Sequence, residues 1–137
     1  MLPVPTVFDV PEQTSGCYLA RITDVTGVTL IPASALSSLL LTLYTVDALG
    51  VTGVVNGRTH QNVLNVNDVE VFETVQTDPA GHTFNLRWTY TPADTTLANP
   101  ALKVEKHIAL WEWTWAAGTR AGKHEVILAV KNLREVG

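Results

Sequence analysis

The chain has 137 residues, enough for one domain and tight for two, and a body of that size can fold without a metal or a disulfide. Hydrophobic residues make up 46% and charged residues 16%, below the ~25% usual for soluble domains, so the surface is sparsely charged and easily covered by a neighbouring subunit. The net charge is −4, from nine basic and thirteen acidic residues with no basic stripe, which argues against nucleic-acid binding.

Residues 1–15 hold Pro3, Pro5 and Pro11. Proline fixes φ and removes a backbone donor, so this segment is expected to be extended and unfit for the centre of a sheet. We read it as an N-terminal arm ahead of a domain over 16–137, either loosely attached, as chain ends commonly are, or laid along a neighbouring subunit with Val4, Val7 and Phe8 as anchors. The start lacks the basic and apolar regions of a secretory signal. The most apolar run, 36–43, is interrupted by Ser37, Ser38 and Thr42 and is far short of the ~20 residues that span a bilayer. A soluble product of the cytoplasm, with no membrane partner, is therefore expected. Cys17 is the only cysteine, which excludes an internal disulfide. Between Gly16 and Tyr18-Leu19-Ala20 it is expected to be a small buried hydrophobe.

Residues 17–23 read as a strand, Asp24 to Gly27 as a turn, and 28–31 as a strand pairing back. Pro32 stops it. A helical turn is compatible with 33–39, and 39–46 is β-branched and aromatic enough for a long strand. A short strand over 51–55 ends at Asn56-Gly57, a pair suited to a tight hairpin turn because both residues tolerate positive φ. Strands at 61–64 and 68–74 follow, then a turn at Asp78 to Gly81. Over 83–90 the alternation is clear: Phe84, Leu86, Trp88 and Tyr90 point one way and Thr83, Asn85, Arg87 and Thr89 the other. The long connection 91–103 suits a crossing from one sheet to another.

Trp111, Trp113 and Trp115 lie two residues apart, so a strand puts all three indoles on one face. With a turn around Gly118 to Gly122, a register that sets Trp115 against His124, Trp113 against Val126 and Trp111 against Leu128 collects the large apolar groups on that face. That face is read as core. The other face reads Ile108, Leu110, Glu112 and Thr114 against Lys131, Ala129, Ile127 and Glu125. Its apolar part, Ile108, Leu110, Ile127 and Ala129, is a patch that a soluble monomer rarely leaves open: either the N-terminal arm or another strand of the same chain covers it, or it is a docking surface for another subunit. The whole is expected to be an all-β, immunoglobulin-like antiparallel sandwich of about seven to nine strands, with room for one short helical turn.

Chemistry finds little purchase. The four histidines have no companion at zinc-ligand spacing. The aspartates fall mostly in turns, where they cap backbone N–H groups, and no dense oxygen cluster for calcium occurs. Glu105 and Glu112 sit on opposite faces of one strand and cannot act as a glycosidase pair. With no nucleophile elbow, phosphate loop or dinucleotide fingerprint, a non-enzyme without metal or cofactor is expected. The alternative is a carbohydrate-binding or adhesin-like module that stacks a glycan partner on the tryptophan row.

One longer pattern stands out. Phe84-x-Leu-x-Trp-x-Tyr-x-Pro92-x-Asp94 is followed by Glu105-x-His107-x-Ala-Leu-x-x-Trp-Thr-Trp115 and, after a Gly-bounded hairpin, by His124-Glu-Val-x-Leu-x-Val-x-Asn132; Asn56-Gly-Arg58 precedes it. Over about 39–136 this resembles immunoglobulin-like accessory domains of tailed-bacteriophage particles, including the amino-terminal domains of baseplate upper proteins. The resemblance implies a virion structural protein: a head decoration, a neck or head–tail connector, or a tail or baseplate piece. It would bind other virion proteins and copies of itself in a ring or lattice. Ending at Gly137 with no stalk, the chain is expected to be a small stand-alone subunit. Such folds host many functions, so this expectation is analogy.

Overall fold

The computed structural model describes residues 6–46, 49–50 and 52–133, with Thr6 and Phe8 placed by their backbone pairing. The described residues form a two-layer β-sandwich. The strands are β1 (Thr6–Pro11), β2 (Gly16–Ala20), β3 (Leu36–Val46), β4 (Thr52–Val54), β5 (Gln61–Asn62), β6 (Val69–Thr77), β7 (Thr83–Tyr90), β8 (Val104–Trp115) and β9 (Arg120–Lys131). Single 3-10 turns occupy Ala33–Ala35 and Pro92–Thr95. The larger sheet runs β1-β9-β8-β3-β4, with β5 also on β3, and the smaller runs β2-β7-β6. No helix among the described residues is long and apolar enough to cross a membrane.

The two layers close on the residues that alternation marks as inward. Leu39, Leu41 and Leu43 of β3, Ala109, Trp111 and Trp113 of β8, and Val126, Leu128 and Val130 of β9 meet Leu86, Trp88 and Tyr90 of β7 in one cluster. The indoles of Trp88 and Trp111 cross edge to face at 5.5 Å, and Tyr18 stacks on Trp111. Trp115 is partly buried at the margin of the cluster. The tryptophan row is therefore core, and Trp88 completes it from the facing sheet. Residues 91–103 make the expected crossing from β7 to β8.

Four expectations change. The described part of the N-terminal segment is an edge strand of the chain's own larger sheet: β1 pairs in parallel with β9, from Thr6 opposite Val126 to Pro11 opposite Lys131. Pro11 sits at the strand's end, as its missing N–H requires. Cys17 is exposed, on the outer side of β2 opposite Thr89. Gly16, Tyr18 and Ala20 take the inward positions, so the odd residues of this edge strand face out.

The hairpin register is displaced by four residues. Trp111 faces His124, Trp113 faces Gly122 and Ala109 faces Val126. Ala116 to Thr119 make the loop, in which Ala116 and Ala117 hold φ of 54° and 56°. An even shift leaves every side chain on its expected face, so the core assignment survives the change of partners. Asn56 and Gly57 do take the positive-φ turn, closed by the Arg58 N–H on Val55 O at 3.1 Å. It joins no β4–β5 hairpin, because both strands pair with β3 and the turn is a bulge along one edge.

Candidate functional site: the outer face of the larger sheet

The register fixes which side chains share the outer face. Val7 of β1 is opposite Ile127 of β9, Ile127 is opposite Ile108 of β8, Ile108 is opposite Tyr44 of β3, and Tyr44 is opposite Val54 of β4. Five apolar or aromatic residues thus form one row across the full width of the sheet. Its ends are open, with Val7 54% and Val54 56% exposed. Its centre, Ile108, Ile127 and Tyr44, is half-buried. Burial raises the Tyr44 hydroxyl pKa, and the Glu125 charge adds to that rise.

The adjoining rows carry charge. On one side lie Asp9, Ala129 and Lys106, with Lys131 ion-paired to Asp9 at 3.6 Å. On the other lie Glu125, Leu110 and Thr42, then Lys123 and Glu112, paired at 3.5 Å. His60 Nδ1 approaches Glu112 Oε1 at 3.2 Å. The structure therefore places Val7, Ile108 and Ile127 in a single row, with Leu110 and Ala129 in the rows beside it. Ala129 is buried between its neighbours. Phe8 is opposite Leu128 in the backbone pairing, and Val4 lies outside the described residues. Tyr44 and Val54 were not in the expected set. The outward phase of β3 signals Tyr44, but nothing in the sequence says that β3 is the neighbour of β8.

The outer face of the smaller sheet is different in kind. Cys17 pairs with Thr89, and Leu19 with Arg87, which in turn pairs with Glu70. Arg87 is ion-paired to Glu70 and lies over the Phe72 ring at 5.4 Å. Asn85, on that same outward phase of β7, is buried because the 22–31 segment covers it: its side chain accepts from Ile22 N–H at 2.7 Å and donates to Ile22 O and Ile31 O.

Two buried polar clusters organise the sandwich end where 91–103 crosses. Asp94 is fully buried and accepts from Arg58 Nε at 2.6 Å, Asn56 Nδ2 at 3.0 Å and Thr91 N–H at 2.9 Å. Burial raises its pKa, but the Arg58 side-chain bond, the Thr91 backbone N–H, the Asn56 amide and the Arg58 charge outweigh it, so the carboxyl titrates below its usual range. Arg58 is 2% exposed and also reaches Gln61, Asn67 O and Asp68. Beside it, His107 Nδ1 is 2.8 Å from Asp94 O and Nε2 is 2.7 Å from Glu105 Oε1. The carbonyl only accepts, so in this contact Nδ1 is the donating ring nitrogen. Glu105 also accepts from the Ala98 and Asn99 N–H groups. These side chains are saturated by one another and by backbone, which makes them an internal frame for the crossing loop.

At the turn end of the hairpin a shallow cleft is lined by Trp113, Trp115, Arg21, Asp24, Lys123 and His124. Trp113 Nε1 donates to Thr23 O at 3.3 Å. His124 Nε2 is 3.1 Å from the Tyr18 hydroxyl. Burial lowers the His124 pKa against the raising effect of Glu125, and burial pushes Tyr18 up to about 12. No group of three or more His, Cys, Asp or Glu is placed to hold a metal among the described residues. Comparison of the chain with known protein families, with curated proteins and with solved structures finds no match.

Proposed function

We propose that the chain is a non-enzymatic structural protein of a tailed-bacteriophage particle, docking on other virion proteins through the outer face of its larger sheet. The observation that carries the docking reading is the row Val7–Ile127–Ile108–Tyr44–Val54, continuous from one edge of the sheet to the other. Contiguous open apolar surface is characteristic of binding sites and uncommon on the rest of a soluble monomer. An apolar centre with charged rows on both sides also matches the anatomy of protein interfaces. The particle itself comes from the resemblance of 39–136 to phage accessory domains, and a head decoration, a neck connector or a baseplate piece would each use such a face.

The test is mass spectrometry of purified particles of the phage that encodes the chain. The expected result is the intact chain at a fixed ratio to the major structural proteins, and its absence from particles would overturn the virion assignment. The competing reading, a tryptophan platform for glycans, loses Trp111 and Trp113 to the core and keeps only partly buried Trp115 beside the hairpin-end cleft. A glycan array with no bound sugar is expected.

A further inference from the structure

We infer that the outer face of the larger sheet pairs with the same face of a second copy of this chain, about a two-fold axis lying along the apolar row. This rests on the docking role proposed for that face and names its occupant.

The charges flanking the row decide it. Beyond Ala129 stand Lys106 and the Lys131–Asp9 pair, a net positive margin. Beyond Leu110 stand Glu125 and the Glu112–Lys123 pair, a net negative margin. Among the described residues neither Lys106 nor Glu125 belongs to an ion pair of its own. They cannot satisfy each other within one chain. Lys106 is opposite Ala129, and Glu125 is four residues further back along β9, about 14 Å away at ~3.4 Å per residue.

A two-fold axis along the row reverses the strand direction and leaves the strand order in place. The row then lies on its own copy: Lys106 falls on the partner's negative margin, while Lys131, already paired to Asp9, falls on the partner's Lys123, already paired to Glu112. Lys106 comes over the partner's Leu110–Glu125 pair, and by symmetry this happens twice, as an isologous interface requires. A two-fold axis along the strands would instead set each margin on its like. The dimensions suit a pair. Five strands ~4.8 Å wide and five outward rows ~6.8 Å deep bound the face at roughly 800 Å², the ~800 Å² per partner of a standard interface, with the short edge strands β1 and β4 filling only part of their share.

The experiment is sedimentation velocity on the full chain over a concentration series, with Lys106→Glu, Glu125→Lys and the double reversal. Both positions are on the surface, and thermal melts confirm that each variant folds. A monomer–dimer equilibrium is expected for the wild type. Each single reversal should raise the dimer Kd about tenfold or more by setting like charges together, and the double reversal should return it most of the way. A chain that stays monomeric up to ~100 µM, where even a weak specific pair would form, overturns the inference. So does a dimer indifferent to the single reversals, or a double reversal no better than either single. Ile108→Glu separates this from the docking proposal. If the wild type is monomeric but Ile108→Glu still fails to load onto particles, the face binds another virion protein and only the self-pairing is wrong.

Discussion

The β8–β9 hairpin has two faces that share one backbone and nothing else. Inward, Trp111, Trp113, Val126, Leu128 and Val130 lie in the sandwich core. Outward, Ile108, Leu110 and Ile127 are half-buried and carry no second layer from the described residues. Apolar residues on the two faces therefore do different work. The inner set holds the two sheets together, and the outer set stays available for another surface. Substitutions on the inner face should cost stability, and those on the outer face should cost association.

The largest effect is expected at Trp113→Ala, which removes a buried indole and should destabilise the chain by about 3–5 kcal/mol in denaturant unfolding. Wild-type stability in that variant would break the inner half of the comparison. Asp94→Ala comes next, at about 3–5 kcal/mol, because it leaves the buried Arg58 without its closest counter-charge. The Asp94 pKa is lower in the folded chain than in the unfolded one. Its stabilisation is therefore fully present above the ordinary Asp value, ~3.9, and is lost as pH falls through the folded pKa. Asp94→Asn should flatten that acid limb of the stability–pH curve. Gly122→Ala should cost about 1–3 kcal/mol by overpacking, since an added Cβ would lie 2.5 Å from Trp113 ring atoms.

His124 gives a smaller, milder-pH effect. Its folded pKa is lowered, so its contribution holds above the unfolded value of ~6.5 and is lost as pH falls below it. His124→Gln should remove that slope from melts between pH 7 and 5. Ile108→Glu sits at the bottom of the stability scale, at about 1 kcal/mol or less for a change on an open sheet face. Its effect should appear in association instead.

Much of this was legible in the sequence. Composition over 39–46, alternation over 83–90 and the two-residue spacing of Trp111, Trp113 and Trp115 report β3, β7 and β8, and the layered fold follows. The hairpin register was not legible, for a reason specific to its glycines. Gly118 and Gly122 invite a turn between them, yet the loop is Ala116 to Thr119, with two alanines at positive φ. Alanine gives no sign of that conformation. Gly122 is instead a strand residue whose missing side chain leaves room for the Trp113 indole. Charge held the better clue, since the observed register sets Lys123 opposite Glu112. Cys17 was misread because its neighbours are apolar, although the strand's alternation turns it outward. The Arg58–Asp94 frame was invisible: the residues are 36 positions apart, and Asp94 looked like another turn aspartate. The outer apolar patch was legible in its β8–β9 half, and the β1, β3 and β4 residues that complete the row depend on strand order, which no local pattern encodes.

To test the outer row as a binding surface, purified chain is sedimented alone and with particles that lack it. Wild type is expected to associate, as the face-to-face pair or on the particle, while Ile108→Glu, with an unfolding midpoint close to wild type, is expected to do neither. Equal association by the two would contradict a binding role and leave the row as ordinary surface.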